Sequence, residues 1–303
     1  MVKRLALKID VDTERGTRIG VNQLLDLFNE LDIKATFLYS LGPDNTGRAI
    51  KRIFRKGFLQ KVSRTSVIST YGFRTLLNGI LWPGPNIAKK HASILQKSKS
   101  QGHEVGIHTY DHVKWQDQLV TMSAEQVKTE FGKALNAFQA VFHEATTTAG
   151  TAGWQANEHS LQAYDDAKLL YGSDCRGSSP FFPVIGKKNF KTLQIPTTLP
   201  TLDELLGRPE YPLQSLADFY LSQLRDDALN VLTLHAEIEG MKYIDWFRSF
   251  LIKAKKMGVH CEPTGALAAR LLATPQAIPV CEFLQGTVEG RSGTLAVQGK
   301  IIT

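Results

Sequence analysis

Apolar runs and amphipathic segments alternate along most of this chain. Residues 5–9 form an apolar run that is typical of a buried strand. Leu24, Phe28 and Leu31 then recur at helical spacing, which predicts a helix with one buried face. Such alternation favours a mainly parallel sheet. The same patterns predict further strands at 169–172, 192–195, 231–234 and 259–261, and further helices at 123–142, 216–229 and 244–257.

Helix boundaries and the end of the chain carry signals of their own. Ser123 followed by Gln126 is a capping box, which predicts that a helix begins there. Gly258 is predicted to end the last helix, directly before the strand at 259–261. The glycine-rich tail after Ala277 is compatible either with short strands or with a loosely attached cover.

Length and composition favour one large domain. The chain of 303 residues could hold two domains, but α/β barrels commonly use about 250 residues as one. Its three cysteines include no Cys-x-x-Cys pair, which argues against a disulfide framework. Residues 1–14 lack the apolar region of a signal peptide, and no stretch approaches the roughly 18 apolar residues of a membrane-spanning helix. We therefore expect a cytoplasmic protein, or one that rests on a membrane from that side.

Basic charge is concentrated in one segment. The chain contains 36 Lys and Arg against 29 Asp and Glu, a net charge of +7. Residues 45–103 contain twelve bases and no acidic residue, so the rest of the chain is acidic on balance. Apolar residues recur at helical spacing between these bases at 50–62, and an aromatic-rich apolar stretch follows at 71–82.

A basic amphipathic stretch followed by an aromatic one suits the surface of an anionic bilayer. We interpret residues 45–100 as a basic amphipathic helical insertion that faces such a membrane. A solvated basic helix beside a core helix is one alternative. A nucleic-acid surface is another, and it is disfavoured because two apolar faces would be wasted on a phosphate backbone. The side chains expected to face the membrane are Arg48, Lys51, Arg52, Arg55, Lys56, Phe58 and Trp82.

Two pairs of residues contain the donors of a divalent metal site. Asp10 and Asp12 lie where the first strand ends, and His108 and His112 are one helical turn apart. Each pair alone is a weak signal, because strand-end aspartates often bond the backbone of a turn and two histidines fall at this spacing by chance. Together they predict a catalytic metal on Asp12, His108 and His112, with Asp10 as a base; the two aspartates could also exchange roles. Zn²⁺ fits this set best, and Co²⁺, Mn²⁺, Ni²⁺ or Fe²⁺ are compatible with it.

Further candidates follow later strands. His235 comes directly after an apolar strand and is interpreted as a general acid, although a structural histidine is the alternative. Asp174 is expected to orient His235 or to serve as a cap or turn residue. Arg176 is predicted to bind an anionic substrate group or a nearby carboxylate. Glu237 and Trp154 are assigned to substrate binding, with places at the rim and in the core as their alternatives.

The histidine pair lies in a longer motif. Residues 102–112, with the sequence GHEVGIHTYDH, resemble the second motif of the polysaccharide deacetylase superfamily. Residues 33–37 resemble its second strand and 232–235 its last motif, while Asp10 and Asp12 match the aspartate pair of its first. The resemblance implies an irregular (β/α) barrel, with residues 1–303 as one metal-dependent catalytic domain that contains the insertion.

Two departures from the family pattern point to one branch of it. Val11 separates aspartates that are usually adjacent, and the region 148–154 lacks the usual third-motif arginine. Residues 173–177 and 235–240 also resemble the branch that deformylates 4-deoxy-4-formamido-L-arabinose-phosphoundecaprenol. That branch serves lipid A modification and resistance to cationic antimicrobial peptides.

This resemblance implies a lipid-linked amino sugar as the substrate and an anionic membrane as the partner. The expected place is the cytoplasmic face of the inner membrane, as a peripheral protein, with no nucleic acid and no obligate protein partner. Two alternatives remain open. The protein could deacetylate another polysaccharide or amidosugar, or it could bind anionic surfaces without catalysis.

Overall fold

The elements of this chain form two sheets with helices packed around them. The computed structural model describes residues 3–49, 75, 77–226 and 229–302. The strands in these ranges are β1 (Arg4–Val11), β2 (Thr36–Ser40), β3 (Glu104–Thr109), β4 (Thr148–Ala149), β5 (Tyr171–Gly172), β6 (Phe182–Ile185), β7 (Lys188–Asn189), β8 (Leu193–Gln194), β9 (Val231–His235), β10 (His260–Pro263), β11 (Val280–Gly286) and β12 (Leu295–Ile301). The α-helices are α1 (Asn22–Leu31), α2 (Ile87–Ser100), α3 (His112–Gln118), α4 (Ala124–Phe142), α5 (Glu158–Asp166), α6 (Leu202–Leu205), α7 (Leu213–Gln223), α8 (Ile244–Lys256) and α9 (Thr264–Leu272).

The larger sheet has eight strands, all paired in parallel. β1 pairs with β9 on one side; on the other it pairs first with β10 and then with β2, from which the order continues through β3, β4 and β5 to β8. The sheet curls until Leu199 N, just beyond β8, donates a hydrogen bond to Val231 O of β9 (3.2 Å). The predicted irregular (β/α) barrel is confirmed.

Strand geometry divides β1 into an apolar face and a charged face. Side chains alternate between the two faces of a strand, so Leu7 and Ile9 point one way while Lys8 and Asp10 point the other. The two apolar residues belong to the main core, in which α1 contributes Phe28. The charged face therefore lies on the inner side of the curled sheet, where Asp10 is opposite His235 in the register of β1 and β9.

The predicted helix signals have mixed outcomes. The capping box of α4 is confirmed, since Ser123 and Gln126 bond each other's backbone at 3.3 and 2.9 Å. The helix predicted at 216–229 ends earlier, at Gln223, because the backbone of Leu224 is extended (φ −70°, ψ 126°). Gly258 follows α8 with φ +76°, but α8 is not the last helix, since α9 follows β10. None of the helices in the described ranges combines the length and apolar character needed to cross a bilayer.

The tail after Ala277 forms part of the second sheet. This four-stranded sheet has the order β12-β11-β6-β7, which bears out the short strands among the two alternatives for the tail. Cys281 and Phe283 of β11 pack in one apolar cluster with Cys175 and Phe181. This separate apolar cluster thereby attaches the tail to the segment that contains Cys175 and Phe181.

The insertion predicted at 45–100 is described only in part. Its final helix, α2, packs against β2 and β3. The predicted membrane-facing residues Lys51, Arg52, Arg55, Lys56 and Phe58 lie outside the described residues.

His103, between α2 and β3, links the stability of this buried region to pH. It is 4% exposed, its Nδ1 accepts a hydrogen bond from Ala35 N (3.2 Å), and its ring contacts Phe28 and Phe37. Burial, with a smaller contribution from the charge of Lys34, lowers the pKa of His103 from 6.5 to about 4. A protonated Nδ1 could not accept the bond, so the native state resists protonation.

We predict that the free energy of unfolding decreases as the pH falls from about 6.5 towards 4. In that window the unfolded chain binds a proton at His103 that the native state does not. Denaturant titrations at several pH values measure this slope. His103→Asn, which can still accept from Ala35 N, should show a shallower slope than the wild type. Equal slopes in the two proteins would contradict the prediction.

Candidate active site

The three predicted metal ligands meet at the carboxyl edge of the larger sheet. Asp12 follows the last residue of β1, and His108 lies in β3. His112 is the first residue of α3, and Asp111 caps that helix by accepting a hydrogen bond from Lys114 N (3.0 Å). The cap fixes where α3 begins and thereby positions His112. The two histidines are not one helical turn apart, because His108 lies in a strand, yet their ring centres are 5.4 Å apart.

The donor atoms of this cluster have the spacing of metal ligands. Asp12 Oδ1 lies 3.3 Å from His108 Nε2 and 3.4 Å from His112 Nε2. Two donors on one tetrahedral Zn²⁺, each bonded at about 2.0–2.1 Å, lie about 3.3–3.4 Å apart. Asp12 Oδ1 is also buried, and it has no well-aligned hydrogen bond within the described part of the chain. These three residues therefore fit a divalent ion.

The charges of this cluster shift the pKa values of Asp12 and His108 in opposite directions. Burial raises the pKa of Asp12, but the nearby charges of His112, His108 and His235 outweigh burial and hold that pKa well below its usual range. Burial lowers the pKa of His108, whereas Asp10 and Asp12 raise it on balance. These interactions favour the carboxylate form of Asp12, which a metal ligand needs, while the raised pKa of His108 means that a bound ion would compete with a proton there.

Asp10 and His235 lie beside the cluster rather than in it. Asp10 is 3% exposed, and its Oδ1 is 3.8 Å from His108 Nδ1, the ring nitrogen that faces away from Asp12. Its other oxygen, Oδ2, is 3.6 Å from Lys8 Nζ. His235 ends β9, and its backbone N–H donates to Glu239 Oε2 (2.8 Å). One carboxylate and one imidazole thus flank the predicted ligands.

Glu237 braces the segment that carries Asp12. Its Oε1 accepts hydrogen bonds from Asp12 N (3.2 Å), Thr13 N (2.9 Å) and Thr13 Oγ1 (2.7 Å). Burial and the nearby Asp12 raise the pKa of Glu237 well above its usual range. A side chain at Gly16 would place its Cβ 1.9 Å from Glu237 Oε1, so the loop can approach this closely only with glycine there. The substrate role predicted for Glu237 stays a prediction; what the structure records is contact with the Asp12 loop.

The other predicted site residues lie deeper in the molecule. Asp174 accepts from Thr151 N and Tyr164 Oη (2.9 Å each) and from Gln194 Nε2 (2.8 Å). His235 Nδ1 has no hydrogen-bond partner among the described residues, so the orienting contact expected from Asp174 is not formed.

Arg176 and Trp154 lie in a common stack of side chains. Arg176 pairs with buried Glu204 (2.6 Å), which is the carboxylate alternative of its prediction. Trp154 is 2% exposed, and the guanidinium groups of Arg176 and Arg291 are 5.4 and 4.5 Å from its ring centre. Trp154 is thus buried, which agrees with the alternative that placed it in the core. A role of Arg176 or Trp154 in substrate binding stays a prediction.

An exposed apolar tip lies near the site. Ile80, Leu81 and Trp82 are 48, 63 and 49% exposed, and Arg48 at its base is exposed as well. Asn45 connects the base of this tip to the site, because its Nδ2 donates to Asp111 Oδ2 (2.6 Å). Trp82 and Arg48 are the two predicted membrane-facing residues that the structure describes.

Lys8 is a buried residue of the site that was not predicted as functional, whereas Glu239 was a candidate, with Glu237, for meeting the amine product or for a place at the rim. Lys8 interrupts an apolar strand with a charge, which is the sequence signal that could have singled it out. Glu239 holds the His235 backbone, and burial raises its pKa to about 8. Its partner is four residues away in a tight turn, a contact that spacing alone does not specify.

Comparison with known proteins agrees with the fold. A family model described as polysaccharide deacetylase matches residues 78–172. A protein of Shewanella sediminis named "Probable 4-deoxy-4-formamido-L-arabinose-phosphoundecaprenol deformylase ArnD" is 37% identical over 99% of this chain and 96% of its own. The chain belongs to the polysaccharide deacetylase family. A protein of the same name from Wigglesworthia glossinidia brevipalpis is 35% identical over 95% of this chain and 99% of its own.

The polysaccharide deacetylase fold extends to distant structures. A crystal structure described as a polysaccharide deacetylase from Mycobacterium smegmatis matches with a TM-score of 0.65, although its sequence is 16% identical. The match covers 95% of this chain and 96% of that one. Membership of this deacetylase and deformylase family makes the protein an amide hydrolase.

We predict that Asp12→Ala, His108→Ala and His112→Ala each abolish stoichiometric binding of Zn²⁺. Each variant removes one of the three donors, and a divalent ion rarely stays on two. Equilibrium dialysis followed by metal analysis measures the bound ion. His159→Ala, at a histidine that faces only Glu158, is the control and should bind as the wild type does. A wild-type level of zinc in any of the first three variants would exclude that residue as a ligand.

Proposed function

We propose that this amide hydrolase is a metal-dependent deformylase of 4-deoxy-4-formamido-L-arabinose-phosphoundecaprenol. The observation that carries the proposal is a three-donor cluster with Asp10 beside it, 3.8 Å from His108, and with His235 paired to Asp10 on the neighbouring strand. Such an arrangement offers both a base and an acid to a substrate placed at the cluster. The ArnD name of the two near full-length relatives supports the choice of substrate. The product would serve lipid A modification and resistance to cationic antimicrobial peptides.

Asp12, His108 and His112 would hold the ion, with Zn²⁺ the best fit to two imidazoles and a carboxylate and Co²⁺, Mn²⁺, Ni²⁺ or Fe²⁺ compatible. When bound, a divalent ion polarises a carbonyl and lowers the pKa of water. Asp10 accepts the proton of the attacking water as the oxygen bonds to the formyl carbon. His235 donates a proton to the sugar nitrogen as the C–N bond breaks, because an amide anion is a very poor leaving group. Formate and a free amino sugar result.

The apolar tip supports a lipid-linked substrate. Three consecutive large apolar side chains are exposed at Ile80–Trp82, as in proteins that insert into the interface of a bilayer. Gly79 N bonds Trp82 O (2.7 Å), and Asn78 Nδ2 bonds Asp44 Oδ2 (3.3 Å), so the tip is tied to the segment that also contacts Asp111. We infer a peripheral protein on an anionic membrane, at the cytoplasmic face of the inner membrane.

We predict that the zinc-loaded protein releases formate from the formamido-arabinose lipid. Asp10→Asn and His235→Ala should each lower turnover by about 10²–10⁴-fold, the usual contribution of a general base or acid, without loss of bound metal. A coupled formate assay and metal analysis measure the two quantities. Loss of metal from Asp10→Asn would show that the roles of the two aspartates are reversed. Turnover of N-acetylated sugars, with no formate from this lipid, would make the protein a deacetylase instead.

We predict that replacing Ile80, Leu81 and Trp82 together by Ser weakens binding to phosphatidylglycerol vesicles about tenfold or more, since the apolar insertion is lost. Vesicle co-sedimentation measures the binding. Val120→Ser, which removes an 84% exposed apolar side chain elsewhere, is the matched control and should bind as the wild type does. Unchanged binding of the triple variant would remove the tip from the membrane contact.

A further inference from the structure

A lysine is sealed inside the curled sheet beside the active site. Lys8 is 1% exposed. Its Nζ donates to Ser173 O (3.1 Å) and lies 3.6 Å from Asp10 Oδ2. A buried ammonium is costly unless a carboxylate and hydrogen bonds compensate for the lost water. A buried lysine in an otherwise apolar strand is therefore expected to have a specific role.

The surroundings of Lys8 hold its ammonium in one position. The Trp154 ring centre is 5.6 Å away, and that ring also contacts Arg176 and Arg291. Gly150 lies close to the acceptor of the lysine, since a Cβ there would be 3.0 Å from Ser173 O and in ordinary contact, at 3.6 Å, with Lys8 Nζ. The end of the lysine is thus fixed by rigid neighbours on several sides.

Asp174 is a second acidic group near Lys8. Burial raises the pKa of Asp174 on balance, although its three hydrogen-bond donors and the charge of Lys8 act against burial. Those donors hold the Asp174 side chain in place, away from the ion pair of Lys8 and Asp10. Asp10 is accordingly the carboxylate that pairs with Lys8.

We propose that Lys8 is a positioning residue that holds Asp10 in place as the base. Asp10 lies next to the predicted ligands, and a free carboxylate there would turn towards a divalent cation and become a further ligand. The ion pair with Lys8 holds Oδ2 on the opposite side and leaves Oδ1 beside His108. This inference rests on the proposed function for the role of Asp10, but its geometry is independent of the substrate.

The test compares Lys8→Met, which keeps the length without the charge, with Lys8→Arg, which keeps the charge. We expect Lys8→Met to lower kcat about 100-fold or more with KM changed less than about threefold, and Lys8→Arg to recover at least about a tenth of the activity. Lys3→Met is the matched control: Lys3, also near the start of the chain, bonds Leu224 O far from the site. It should behave as the wild type does.

A double-mutant cycle separates positioning from general stability. If Lys8 acts through Asp10, adding Lys8→Met to Asp10→Asn should cause no further loss of kcat beyond about twofold. Equal losses in both backgrounds, or a loss of kcat that simply follows a lower melting temperature, would overturn the proposal.

Zinc affinity gives a measurement that needs no substrate. Lys8→Met frees Asp10 to join the ion, so we expect zinc to bind about threefold or more tightly, and the gain to be smaller in the Asp10→Asn background. An unchanged or weaker affinity, or an equal gain in both backgrounds, would overturn the role of Lys8. Absence of formate from the wild type would instead refute the proposed function alone, because the affinity cycle can still be read.

Discussion

Buried charge is the constraint on which the rest of this molecule depends. Lys8, Asp10, His108 and Glu237 are each at most 3% exposed; Lys8 lies within β1, and the other three lie at or just beyond the carboxyl ends of β1, β3 and β9. Ionised groups without water are tolerated only when opposite charges and hydrogen bonds surround them. The sheet meets this requirement by bringing distant parts of the chain into mutual contact. The same contacts therefore stabilise the fold and position the side chains of the candidate site.

Local pattern was sufficient to predict most of the framework. The strand around Asp10 and the capping box at Ser123 depend on neighbours within a few residues, and each lies where its pattern indicated. The histidine pair was predicted at helical spacing, whereas His108 belongs to a strand and only His112 to a helix. The predicted ligands could be grouped because parallel strands deliver their carboxyl ends to one edge of a sheet. A helix such as α7 is less predictable at its end, where tertiary contacts compete with propensity.

Contacts between distant residues could not be predicted in the same way. Glu237 binds Thr13 across 224 residues of sequence, and no spacing rule connects such partners. Arg176 was predicted to bind either a substrate anion or a nearby carboxylate. Only the fold, which places Glu204 beside it, shows that the carboxylate contact is formed. Similarly, the glycine-rich tail offered no periodicity, yet its strands complete the second sheet and its Arg291 reaches Trp154.

Gly16 and Glu237 constrain each other sterically. Because any Cβ at position 16 would occupy the place of the glutamate carboxylate, a larger residue there requires that Glu237 move away or that position 237 become shorter. Either change would release the loop that carries Asp12. In a related chain, a side chain at position 16 would therefore indicate a displaced Asp12, one of the predicted metal ligands, even where the aspartates and histidines are all present. Inspection of ligand residues alone would classify such a chain as active; this one glycine would reveal the defect.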